Sequence, residues 1–128
     1  FMQQTQDDRE NKTNSDLSVF DEDVNGYNLI IVDDSIVRGT RLIHFVEYMH
    51  NVGVKSIHLL ITFPPIINPC HHAINFKTNE ELVAHNKTVD EIKIELGLRN
   101  NDTLLYATHD DMRCATGYTN MCDECYKY

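Results

Sequence analysis

Two adjacent carboxylates, Asp33 and Asp34, lead into the run Ser35-Ile36-Val37-Arg38-Gly39-Thr40, and together these residues could do chemistry. The hydroxyls of Ser35 and Thr40 and the backbone N–H groups between them can converge on one anion, while Gly39 can take backbone angles closed to other residues. That combination suits a phosphate. The carboxylates would repel a phosphate placed on them, but they can accept hydrogen bonds from sugar hydroxyls or hold Mg2+ through water. A phosphate cradle beside two carboxylates points to a phosphorylated sugar. The same residue types also suit an ordinary turn and helix cap after a buried strand, and residue chemistry alone leaves both readings open. Neither the glycine-rich dinucleotide fingerprint nor the Gly-x-x-x-x-Gly-Lys-Ser/Thr loop of nucleotide hydrolases occurs.

A second constellation is made of cysteines, at Cys70, Cys114, Cys122 and Cys125. Cys122-Asp-Glu-Cys125 is a C-x-x-C pair, consistent with zinc, an iron–sulfur cluster or a dithiol redox site. A redox pair needs a lowered thiol pKa, against which Asp123 and Glu124 work, so metal is the better reading. His71 and His72 directly follow Cys70 and raise a mixed Cys/His zinc site with Cys122 and Cys125 as an alternative to their serving as polar surface groups. Cys114 is expected to be a small buried residue and not a ligand. His44, His50, His58, His85 and His109 pair with no candidate nucleophile at a meaningful spacing.

The elements that must position these residues can be read from periodicity. Leu29 to Val32 are apolar without polar alternation, which predicts a strand buried on both faces of a parallel sheet, with Asp33 and Asp34 at its carboxyl end. In open α/β sheets that edge is where ligands bind. Leu42, Ile43, Val46 and Met49 recur at helical spacing before Gly53, predicting a helix over 40–52. Ile57, Leu59, Leu60 and Ile61 mark a second strand within 55–62, completing a βαβ unit with parallel strands. Pro64-Pro65 ends it. Thr78 with Glu81 and Thr88 with Glu91 have capping-box spacing, predicting helices over 79–86 and 89–96, the latter stopped by Gly97. Residues 104–107 are a candidate last strand and 109–113 a helical turn. The expected organisation is a polar, flexible or peripheral segment over 1–28, an α/β core over 29–113, and a cysteine-rich terminal segment over 114–128.

Composition bounds the rest. At 128 residues the chain is one domain, and its formal net charge of −9 argues against nucleic acid as a partner. No apolar run is long enough to cross a membrane, and the polar start is no secretory signal, which predicts a cytoplasmic protein. The start on Phe1 predicts a fragment with sequence missing upstream.

The stretch Ile30-Ile-Val-Asp-Asp-Ser-Ile-Val-Arg-Gly-Thr40 resembles the phosphoribosyl-diphosphate (PRPP) signature of type I phosphoribosyltransferases, in the form found in amidophosphoribosyltransferases, which open purine synthesis. Pro64-Pro-Ile-Ile-Asn-Pro-Cys70, Ile74-Asn75, residues 78–84 and residues 89–97 resemble, in order, the sequence downstream of that signature in those enzymes, and Phe1-Met-Gln-Gln resembles the end of their mobile loop. The resemblance implies an incomplete type I phosphoribosyltransferase-like fold, α/β with a parallel sheet flanked by helices. It implies that Asp33 and Asp34 contact the ribose hydroxyls and Mg2+, and that Ser35, Ile36, Val37, Arg38, Gly39 and Thr40 hold the 5′-phosphate. The activity implied is that of a glycosyltransferase, displacing pyrophosphate from PRPP by ammonia to give 5-phosphoribosylamine, with no side-chain nucleophile.

Two further implications concern what surrounds this chain. The family draws ammonia from an N-terminal glutaminase domain and binds pyrophosphate with upstream residues, so this piece alone is expected to be inactive and its full-length form a homo-oligomer. Many members carry a 4Fe–4S cluster, and Cys70, Cys122 and Cys125 match three of its ligand positions, the fourth falling before Phe1; Zn2+ is the alternative. The chain departs from the family in Tyr126-Lys127-Tyr128, where Gly-Lys-Tyr-Pro is usual, and in Asp16, Asp21, Glu22 and Asp23, where the family is basic. Two other readings stand beside the enzyme: a PRPP-sensing or interaction domain without catalysis, and a structural metal-binding module.

Overall fold

Apolar β-branched runs at 28–33, 56–61 and 103–106 pair into one sheet, and the computed structural model describes residues 21–72 and 78–127 of the chain around it. The strands β1 (Asn28–Asp33), β2 (Ser56–Ile61) and β3 (Thr103–Tyr106) lie in that order and are all parallel. Asp33 stands opposite Ile61, and Ile61 opposite Tyr106, so the carboxyl ends of the strands share one edge. Helix α1 (Thr40–Val52) has the bounds its periodicity predicts, because Gly53 takes φ 97° and its N–H closes the helix on His50 and Met49. Helix α2 (Val89–Glu95) opens on the predicted capping box: the Thr88 N–H donates to Glu91 Oε2 at 2.7 Å, and the Glu91 N–H to Thr88 Oγ1 at 3.3 Å.

Side chains alternate across the sheet, and among the described residues only one face is packed. Leu29, Ile31, Ile57, Leu59, Ile61 and Leu104 meet Val46 and Met49 of α1 and Ile92 and Leu96 in a single core. Each fully buried Val, Leu or Ile there contributes about 1.5–3 kcal/mol. The opposite face is bare: Ile30, Val32 and Leu105 are 69%, 65% and 59% exposed. The expectation that β1 is buried on both faces is thus corrected. Its apolar run suits a covered strand, but the described helices supply the cover on one side only.

Two other expectations change. No helix forms over 79–86: a single 3-10 turn, Asn79–Glu81, is followed by extended Leu82, and the Thr78 side chain does not cap it. Glu81 pairs instead with Arg38, while the backbone N–H of Glu80 and the Thr78 hydroxyl hold the Glu80 carboxyl below its usual range. Conversely, the turn predicted at 109–113 is a full helix, α3 (His109–Thr116), opened by a capping box of Thr108 and Asp111. Asp is one methylene shorter than the Glu of the usual pattern yet reaches the Thr108 N–H at 2.8 Å. Cys114 on α3 is exposed, against the expectation of burial, because that helix buries none of its residues. Residues 1–20, and with them Phe1-Met-Gln-Gln and most of the polar segment, lie outside the described residues, as do Ile74 and Asn75.

Candidate functional site

Strand β1 delivers Asp33 and Asp34 to the carboxyl edge of the sheet, where both are exposed. The Asp34 N–H donates to Asp33 Oδ1 at 2.9 Å, and the Ser35 hydroxyl to Asp34 Oδ1 at 3.0 Å. The Asp33 carbonyl is held in turn by the Thr62 N–H at 3.0 Å. The remaining carboxylate oxygens face solvent and can take sugar hydroxyls or the water shell of Mg2+, which asks for only one or two protein carboxylates. That donor set fits the ion.

The loop beyond is pinned from beneath. Ile36 is buried, Val37 packs partly into the interior, and the Val83 N–H donates to the Val37 carbonyl at 2.8 Å. This is the use of the irregular 82–84 segment: it braces the loop through backbone groups, for which sequence carries no signal. Gly39 takes φ 73° and starts α1, its carbonyl accepting from the Ile43 N–H at 2.9 Å. The N-cap residue Gly39 has no side chain with which to cap α1, and no acidic residue stands in its first turn. Among the described residues the first-turn N–H groups thus lack a side-chain cap and keep their share of the helix dipole, as an anion requires. Arg38, expected among the phosphate-binding residues, has its guanidinium on Glu81, so what it offers an anion is its backbone N–H.

A hollow of about 350 Å³ opens beside the loop, lined among others by Arg38, Thr40, Glu80, Glu81, Lys87 and Glu95. Its two cations are engaged, Arg38 by Glu81 and Lys87 by Glu95. It neither contains Asp33 and Asp34 nor offers a net positive field, so it is a poorer seat for an anion than the row of amides.

The cysteine segment folds back onto the proline-rich loop. The Ile67 and Asn68 N–H groups donate to the Cys125 carbonyl at 2.8 and 3.0 Å, and Asn68 Nδ2 donates to the Glu124 and Lys127 carbonyls at 3.3 and 3.0 Å. Tyr126 packs edge-on against Phe63 at 5.1 Å and shares a hydrogen bond with His109 Nδ1 at 3.1 Å. Ile66, Leu82, Cys125 and Tyr126 form a small second core, against which Val37, Phe63 and Cys70 pack. The loop that carries Val37 and the cysteine segment therefore share a wall.

Burial, then the neighbouring Cys70, pushes the Cys125 thiol up, and Cys122 adds to the effect. Cys70 packs against the small core that contains Cys125, Cys122 stands three residues before Cys125 in the same segment, and Cys114 is exposed on α3. Three thiols are one short of a 4Fe–4S set, so the described residues fit such a cluster only in part. Sequence reasoning missed Glu124, whose carboxylate lies 3.4 Å from His72 Nε2. An acidic residue inside a C-x-x-C pair was the available signal. His71 is exposed and stands outside that contact.

The chain is similar along nearly its whole length to known enzymes. The amidophosphoribosyltransferase of Methanocaldococcus jannaschii is 35% identical over 125 residues, 98% of this chain and 26% of that one. That of Bacillus subtilis is 39% identical over 106 residues, 83% of this chain and 22% of its own length. Among solved structures, the glutamine PRPP amidotransferase of B. subtilis, complexed with ADP and GMP, superposes with a TM-score of 0.68 at 29% identity, covering 99% of this chain and 27% of that one. A structure described as the allosteric regulatory enzyme of purine biosynthesis gives 0.73 at 30% identity, covering 98% and 28%. This chain thus spans about a quarter of the length of the relatives it matches. No protein-family model matches it.

Proposed function

From the premise that this chain belongs to the amidophosphoribosyltransferase family, as a segment about a quarter of its members' length, we propose that residues 33–40 form a PRPP-binding loop. One observation carries the reading: an uncapped helix N-terminus opens at the carboxyl edge of a parallel sheet, directly beside two exposed carboxylates. The ribose hydroxyls donate to Asp33 and Asp34. The 5′-phosphate takes the amides of Ser35, Ile36, Val37, Arg38, Gly39 and Thr40 and the hydroxyls of Ser35 and Thr40. Asp33 and Asp34 would hold Mg2+, which when bound would supply positive charge against the pyrophosphate leaving group.

In the full-length enzyme the lone pair of ammonia forms a bond to C1 of the ribose as the bond to pyrophosphate breaks, giving 5-phosphoribosylamine. The protein's part is to position the ribose and keep water away. The partners of this reading are PRPP, a glutaminase domain of the same enzyme that supplies the ammonia, and further copies of the full-length chain. Cys70, Cys122 and Cys125 offer three thiolates to a 4Fe–4S cluster that ties down the terminal segment, the fourth coming from outside the described residues. The expected compartment is the cytoplasm; among the described residues no helix is long and apolar enough to cross a membrane.

A second reading is PRPP binding without catalysis, for which the loop of residues 33–40 suffices. On both readings the isolated chain binds PRPP without turning it over. Calorimetry with PRPP and Mg2+ tests the binding: the wild type should bind, and Asp33→Asn with Asp34→Asn should lose it. Absent binding, or binding indifferent to those substitutions, overturns the loop assignment. Pyrophosphate release from PRPP and ammonium by the isolated chain would overturn its expected inactivity.

A further inference from the structure

Residues 37–39 of the loop meet residues 81–83 at three successive points. The Val37 carbonyl accepts from the Val83 N–H at 2.8 Å, the Arg38 guanidinium lies on the Glu81 carboxylate, and a Cβ on Gly39 would lie 3.5 Å from Val83 Cγ2. The facing segment is itself fixed. Leu82 enters the second core with Ile66 and Tyr126, Val83 and Ala84 enter the main core, and His85 Nδ1 donates to the Ile67 carbonyl at 2.8 Å. The Leu82 N–H donates to the Asn79 carbonyl at 3.0 Å and closes the turn that carries Glu81. Glu81 is thus a carboxylate held at a set place beside the loop. As an exposed ion pair, with side chains 58% and 30% exposed, Arg38 and Glu81 add little to the stability of the whole chain. Their use is local. Arg38 is the exposed residue between Val37 and Gly39, and its pairing adds a side-chain tie to the backbone brace one residue away. A loop ordered in advance spares the ligand the cost of ordering it.

We propose that Glu81 is a positioning residue for the 5′-phosphate: by holding the Arg38 side chain it keeps the amides of residues 37–40 in the conformation the anion needs before the anion arrives. Arg38 acts through Glu81 and not by contact of its guanidinium with the phosphate. The inference rests on the reading of residues 33–40 as a PRPP loop. A guanidinium beside a phosphate cradle would otherwise be drawn to the anion, and the opposite role for Glu81, withholding Arg38 from phosphate, predicts effects of opposite sign.

The test uses the full chain with Glu81→Gln, Arg38→Met and the two combined, and PRPP with Mg2+ as the probe. Without ligand, amide hydrogen exchange at Val37 to Thr40 should quicken about three- to tenfold in each variant, the lower part of the range over which contacting residues couple. The β2 amides and the unfolding midpoint should stay where an ordinary surface substitution leaves them, which separates a local effect from a general loss of stability. In calorimetry each single variant should bind PRPP more weakly by a similar factor, and the double variant should lose no more than either. Tighter PRPP binding by Glu81→Gln with weaker binding by Arg38→Met would make the guanidinium a phosphate ligand and overturn the proposal. Additive losses in the double variant, or loop exchange unchanged in Glu81→Gln, overturn it as well. A wild type that binds PRPP and is matched by Glu81→Gln defeats this inference alone, whereas a wild type that binds none defeats the loop assignment and this inference with it.

Discussion

His50 Nε2 lies 3.0 Å from Asp102 Oδ2, joining the last turn of α1 to the turn that feeds β3, with both side chains almost wholly buried. Asp102 serves two further donors: the Ile57 N–H reaches Oδ1 at 2.8 Å, and the Arg99 N–H reaches Oδ2 at 2.6 Å. One carboxylate thus ties α1, the start of β2 and the entry to β3 at the edge of the sheet opposite Asp33 and Asp34. Removing it orphans buried donors at about 1–3 kcal/mol each. Asp102→Ala should therefore lose roughly 3 kcal/mol or more in urea unfolding, with Asp102→Asn between it and the wild type. A variant within about 0.5 kcal/mol of the wild type, the range of an ordinary surface substitution, would show that the carboxylate ties nothing.

Burial, then the charge of Arg99, lowers the pKa of His50 below its ordinary value of 6.5, against the opposing pull of Asp102. The unfolded chain consequently binds the His50 proton more readily than the folded one. This contribution to stability is fully present above pH 6.5 and is lost as pH falls below it toward the folded value. Melting temperatures measured on either side of that pH should drop more steeply for the wild type than for His50→Gln. Parallel curves would remove His50 from the linkage.

Gly39 combines φ 73° with a tight surround: a Cβ there would lie 2.9 Å from Leu96 Cδ2 and 3.5 Å from Val83 Cγ2. Gly26 has a similar φ of 79° with nothing within 4 Å. Alanine at either site meets the left-handed strain of about 1–2 kcal/mol. Gly39→Ala should exceed Gly26→Ala by about 1 kcal/mol or more for overpacking, softened by the flexible end of Leu96. It alone should also weaken PRPP, because the displaced residue sits between the amide row and α1. Equal losses in the two variants would show that Leu96 yields freely.

The Tyr106 hydroxyl is buried at the end of β3 with no hydrogen-bond partner among the described residues, and burial pushes its pKa up to about 12. An unsatisfied buried hydroxyl costs about 1–3 kcal/mol, so Tyr106→Phe should match or exceed the wild type by up to about 1 kcal/mol in thermal unfolding. A clear loss of stability would reveal a partner for the hydroxyl.

Local rules were legible wherever nothing distant competed with them. Helix α1 ends where Gly53 stops it, and Thr88 with Glu91 caps α2, because both signals act within one turn of backbone. The same spacing at Thr78 and Glu81 failed for a nonlocal reason, since Arg38 claims the Glu81 carboxylate across the fold. The carboxylate pair and Gly39 could be read from sequence, but the bracing of Val37 by the Val83 N–H could not, because any residue carries that donor. His50 with Asp102, and His72 with Glu124, are far apart in the chain and carry no periodic signature. Apolar composition at Ile30 and Val32 reports that a strand suits cover without reporting what supplies it.

Among the described residues the face of Ile30, Val32 and Leu105 is uncovered and β1 is an edge strand, which has a consequence of mass action. An uncovered apolar face beside an unpaired edge accepts whatever apolar strand is most abundant around it. In a calorimeter cell holding only this chain, that is another copy of itself. Unfolding energies and ligand constants measured on the isolated polypeptide should therefore carry a protein-concentration term, which a concentration series extrapolated to the dilute limit would expose.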